Sequence, residues 1–163
     1  MKSILVPVGS SKNAQSHLQY AVDFAEAFGA KLYVVQVYNV YTKSGTMIKV
    51  DHILERESLD FLNKHVASVN KKNVEVIVKT FKGKLVDTLE LVSKSLDIDL
   101  IILEPRTNSI KDEVYLGKTS GKIIKQTNIP ALIVPEGYTY RPINSILFAL
   151  KSAVINKVDA LNP

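Results

Sequence analysis

The 163-residue sequence contains no cysteine and no tryptophan. Without cysteine there is no disulfide framework, no thiol nucleophile and no zinc–thiolate site, and a reducing compartment is the natural expectation. No apolar run approaches the roughly 20 residues that a membrane-spanning helix needs. The N-terminal apolar stretch is short and is broken by Pro7, unlike a signal peptide, so a cytoplasmic protein with no membrane partner is expected. Histidine is also scarce. His17, His52 and His65 each fall in helical stretches far apart, and no pair has metal-ligand spacing such as i, i+4. They are expected to face solvent, with no metal site.

What the chain does have is an ordinary globular composition, 46% hydrophobic and 23% charged, long enough for one α/β domain with a full core. Its net charge is +5, from 21 basic and 16 acidic residues. That surplus favours anionic partners, but the lysines are scattered through every segment and no zinc-finger, RRM or basic-zipper spacing occurs. A solvated lysine-rich surface is expected rather than a nucleic-acid interface.

Short apolar runs alternate with amphipathic stretches. Ile4–Val8 reads as a buried strand closed by Gly9-Ser10-Ser11. Ala14, Leu18, Ala21, Val22, Ala25 and Phe28 keep helical spacing, with Ser11 as N-cap and Gly29 at the left-handed C-cap position. Lys31–Tyr38 is the next strand, which completes a right-handed crossover unit. A second helix is expected from about Val50 to Val69, burying Ile53, Leu54, Leu59, Phe61, Leu62 and Val66, while Glu55, Arg56, Glu57 and Asp60 form an exposed charged face. Then follow a strand at Val74–Thr80, a helix at Leu85–Leu96, a strand at Asp99–Glu104, a helix at Leu116–Thr127 and a strand at Ala131–Val134. The fold class is therefore α/β, a doubly wound parallel sheet with helices on both faces. Ligands of such sheets bind beyond the carboxyl ends of the strands, here the loops after residues 8, 38, 80 and 104.

Near the end, Asn144-Ser-Ile-Leu-Phe-Ala-Leu-Lys-Ser152 echoes Lys2-Ser-Ile-Leu-Val-Pro-Val-Gly-Ser10. Chance likeness between two apolar strands is one explanation. The sharper one is that residues 141–163 are a linker, then the first strand and partial helix (Ala153–Leu161) of a second copy of the 1–140 domain. A lone extra strand should pair with an existing edge or with another molecule. Tyr138, Tyr140 and Arg141 flank this linker as candidate interface residues.

Two further motifs are weaker. Gly117-Lys118-Thr119 invites comparison with a P-loop, but Asp112 stands where the first glycine belongs and no strand immediately precedes it. Ser10 and Ser11 lack the flanking pattern of a nucleophile elbow.

Ile4-Leu-Val-Pro-Val-Gly-Ser-Ser11, the helix ending Phe28-Gly-Ala-Lys-Leu32 and the strand Val34-Val-Gln-Val37 together resemble the N-terminal half of the universal stress protein family. Leu116-Gly-Lys-Thr-Ser-Gly-Lys-Ile-Ile-Lys-Gln-Thr-Asn-Ile-Pro-Ala-Leu-Ile-Val-Pro135 is similar to its C-terminal half. The resemblance implies a five-stranded sheet of order 3-2-1-4-5 and a homodimer formed through Ala131–Val134, in a stress-response module that binds or signals without catalysing. Many members bind ATP through an aspartate after the first strand and Gly-x-x-Gly, nine residues, Gly-Ser/Thr after the fourth. Here Gly9 stands at the aspartate position, Glu104 and Thr107 at the first two glycines, and Lys118 at the hydroxyl; only Gly117 survives. What remains is a degenerate nucleotide or anion site drawn from Gly9, Ser10, Ser11, Val37, Arg106, Gly117, Lys118 and Thr119, with no bound cofactor expected. The alternative is an ATP- or AMP-binding switch, with magnesium, that relies on altered contacts. A protein partner is expected and its identity is open.

Overall fold

The computed structural model describes residues 1–9, 13–39, 47–105 and 118–147. Five strands alternate with four helices: β1 (Ser3–Pro7), α1 (Ala14–Phe28), β2 (Lys31–Tyr38), α2 (Met47–Ala67), β3 (Val76–Lys82), α3 (Leu85–Ser95), β4 (Leu100–Leu103), α4 (Lys118–Gln126) and β5 (Ala131–Ile133). All pairings are parallel and the strand order is β3-β2-β1-β4-β5. No helix among the described residues is long and apolar enough to cross a membrane.

Apolar residues on both faces of the central strands make this a two-sided sheet. Ile4, Val6, Leu32, Val34 and Ile102 pack under α1 and α2 with Leu18, Val22, Leu62 and Val66. Leu5, Val35, Ile101 and Leu103 face the other way, against Leu89, Val92 and Ile123 of α3 and α4. Gly29 takes φ 62° at the end of α1 and donates to the Glu26 carbonyl, the left-handed cap that the sequence predicts.

Several expectations change. α1 begins at Ala14, after Asn13, whose side chain makes no capping hydrogen bond, and Ser11 lies outside the described residues. β3 is displaced to Val76–Lys82 because seven residues of β2 pair with it, from Leu32↔Val76 to Tyr38↔Lys82. Ile53 and Leu59 are exposed, not core: the buried stripe of α2 runs through Ser58, Leu62 and Val66, at spacings of four, and leaves them to either side.

Phe28 is likewise exposed, because α1 carries a second apolar stripe at Tyr20, Phe24 and Phe28, each four residues on. The segment after β5 covers it. Tyr140 meets Tyr20 and Phe24 edge-on with centroids 5.7 and 6.0 Å away, and Tyr138 lies 6.2 Å from Tyr20. The candidate interface tyrosines thus bind their own chain. Residues 145–147 pair with no strand, and the expected helix at 153–161 lies outside the described residues.

Candidate functional site

The order 3-2-1-4-5 reverses direction between β1 and β4, which opens a crevice at their carboxyl ends. Gly9 lies at its rim beyond β1, and Val37, next to the last residue of β2, faces α3 and α4. Leu5 pairs with Ile101, and Glu104 follows the last residue of β4 as Val8 follows the last residue of β1. Glu104 is half-buried, and the Ser120 hydroxyl of the first turn of α4 reaches toward its carbonyl at 3.5 Å. Lys118 and Thr119 open α4, so that helix starts at this end of the sheet. Ser10, Ser11, Arg106 and Gly117 lie outside the described residues.

The structure adds a residue that sequence reasoning placed on the surface. His17 is only 5% exposed, and neither ring nitrogen makes a hydrogen bond of good geometry. Its position explains the burial: it lies three residues after Ala14 and four before Ala21, both on the buried face of α1. Burial drives its pKa from 6.5 down to about 4, opposed by the neighbouring Ile102 backbone. That contact has a covalent origin. β1 and β4 pair only as far as Leu5↔Ile101, and Pro7, which has no N–H, offers the Ile102 carbonyl no ladder bond. A histidine ring stands where a ladder donor is missing.

Two other buried polar atoms lack partners at the same end, Gln36 Oε1 of β2 and Asp51 Oδ1 of α2. The second oxygen of Asp51 accepts from Lys82 Nζ at 2.6 Å. Beside this pair the Tyr38 hydroxyl is pushed up, first by desolvation and then by Glu55 and Asp51. Among the described residues, four of the five unpartnered buried polar atoms gather at this end of the sheet; the fifth is Ser93 Oγ, at the far end of α3. Buried polar atoms are normally satisfied, so this end has the chemistry of a site that holds water or a polar ligand. No group of three or more metal-ligating side chains occurs among the described residues.

Residues 1–135 match the universal stress protein family. The chain belongs to that family. It is similar to a universal stress protein of Methanocaldococcus jannaschii, 20% identical over 138 residues, which are 82% of this chain and 81% of the relative. Among solved structures, a universal stress protein from Archaeoglobus fulgidus aligns with TM-score 0.62 at 20% identity, over 82% of this chain and 98% of that one. A universal stress protein in complex with cAMP aligns with TM-score 0.61 at 18% identity, over 82% and 96%. At such identities the structural likeness shows the fold; the crevice has to be read from its own side chains.

Proposed function

We propose that this universal stress protein is a non-catalytic, cytoplasmic stress-response module that acts by dimerising through Ala131–Val134 and docking on another protein, its nucleotide site degenerate. The observation that carries this reading is the pair Gly9 and Glu104 at the adjoining ends of the two central strands. An anion cradle needs backbone amides open to phosphate oxygens, and glycine is the residue that permits their close approach. Glu104 supplies a side chain and a negative charge there instead, and Gly9 offers no acceptor to a nucleoside.

Calorimetric titration with ATP and magnesium tests it. The module reading expects no saturable heat into the low millimolar range, and a low-micromolar affinity would overturn it.

One observation favours a second reading, a nucleotide-binding switch without strong hydrolysis. The unpartnered atoms of His17, Gln36 and Asp51 lie at the strand ends, and a relative of the same fold is in complex with cAMP. In that reading Arg106 and Lys118 supply the charge that the missing glycines do not. Nucleotide retained through purification, and lost in Arg106→Ala and Lys118→Ala, would establish it.

A further inference from the structure

Beyond the tyrosines clasped on α1, residues 141–147 run on without joining any sheet. Ile146 and Leu147 are 84% and 93% exposed. Their counterparts in the Ser-Ile-Leu repeat, Ile4 and Leu5, are fully buried on opposite faces of the sheet. Successive side chains of a strand point to opposite faces, so two adjacent bulky apolar residues suit a strand covered on both sides.

The sheet offers two edges. β3 carries Lys79 and Lys82, and lysine on an edge opposes further pairing. β5 has no such guard. From Asn128 to Pro135 the chain is uncharged, and β5 pairs on one side only, with β4. The charge pattern points the same way, since β3 carries no carboxylate to meet Arg141 beside the unpartnered segment. An antiparallel register with Ile146 opposite Leu132 instead brings Arg141 next to Glu136 of the second copy.

We propose that the segment Ile143–Leu147 of one copy adds as an antiparallel strand to β5 of a second copy, reciprocally, to close a two-fold dimer. This rests on the reading of β5 as the dimer strand and names what covers it. In this register Ile146 joins Leu132 on the α1/α2 side of the sheet and Leu147 joins Ala131 on the other, so each finds apolar company.

The cysteine-free chain makes the test direct. Full-length chains with Ala131→Cys alone and Leu147→Cys alone are mixed and mildly oxidised, and Ile133→Cys with Ser145→Cys serves as a second facing pair. A disulfide dimer in each mixture, absent from either chain alone, is the expected result. Ala131→Cys linking to itself would mean that β5 pairs with β5, so the dimer reading stands and the strand exchange fails. Leu147→Cys linking only to itself would overturn the exchange as well. No cross-link, with light scattering at 18.1 kDa at about 100 µM protein, would sink both. Ile146→Asp with Leu147→Asp should raise the dimer dissociation constant at least a hundredfold. The thermal midpoint of the dilute protein should not move, because these side chains are exposed in the single chain.

Discussion

His17 should make this protein acid-sensitive over a defined window. Its folded pKa is about 4 against 6.5 for the free side chain, with burial as the main cause. Between these values the unfolded chain takes up a proton that the folded chain refuses, so stability is intact above pH 6.5 and falls as pH drops. The loss levels off below about pH 4, where both states are protonated. The linkage relation gives a loss of about 2 kcal/mol by pH 5 and about 3 kcal/mol by pH 4, from the stated pair of pKa values. Against a domain stability of about 5–15 kcal/mol this is a large fraction. Urea unfolding of wild type and His17→Leu, at half-unit steps from pH 7.5 to 4.5, measures it. Leucine removes the two unpartnered ring nitrogens and also the ring beside the Ile102 carbonyl, so the comparison rests on the slope with pH and not on the pH 7 value. The variant's stability should fall by about 2 kcal/mol less between pH 7 and 5. The His17 ring resonance in an NMR titration should stay put above pH 5. Equal slopes for the two proteins, or a His17 ring that titrates near 6.5, would refute the reasoning.

Other consequences concern the frame. Lys72 sits at φ 50° and bridges Asp23 at 2.9 Å and Glu26 at 2.7 Å, which ties the turn before β3 to α1; Lys72→Met should lower the thermal midpoint at low salt, and the deficit should shrink in 1 M NaCl, where the Debye length is about 3 Å. Gly83 takes φ 149°, and a Cβ there would stand 2.4 Å from Thr88 Oγ1; Gly83→Ala should cost about 1–3 kcal/mol in chemical denaturation. Tyr140 meets two rings of α1 edge-on; Tyr140→Ala should cost about 1–2 kcal/mol, at roughly 0.5–1.5 kcal/mol per aromatic contact, and limited proteolysis should then cut first near residue 141.

The fold was legible because each element carried its own signal. Continuous apolar runs at Ile4–Val8 and Leu100–Leu103 and the glycine stop at Gly29 speak locally, and alternation of strand and helix decides the sheet type. The site was harder because it depends on which face of an element a polar residue takes. The distances between the histidines say nothing of burial, whereas the spacing of His17 from Ala14, Leu18 and Ala21 puts it on the buried stripe of α1. The partnerless oxygens of Gln36 and Asp51 have no sequence signature at all, since they arise from two elements meeting. Phe28 and the two tail tyrosines show the same limit: the aromatic spacing at 20, 24 and 28 is plain in the sequence, but only the folded chain reveals that residues 138–140 return to cover it.

If decay of the crevice explains the function, repair should reverse it. Glu104 directly follows β4, with Ser120 in the first turn of α4 reaching toward its carbonyl. A phosphate within about 6 Å of its carboxylate would meet roughly 1–2 kcal/mol of repulsion once partial exposure is allowed for. Glu104→Gly alone should therefore tighten nucleotide binding by about tenfold, on the scale of 1.4 kcal/mol per decade. Adding Thr107→Gly restores the family's second glycine, Lys118→Ser its hydroxyl, and Gly9→Asp the acceptor after β1. The fourfold variant should bind ATP measurably better than any single change, by calorimetry and by thermal shift. The competing switch reading expects the opposite, because contacts adapted to Glu104 and Lys118 would be broken, and any affinity of the wild-type chain would fall. A variant that folds like wild type yet gains nothing would mean that the crevice is closed to nucleotides by its shape rather than by these four side chains.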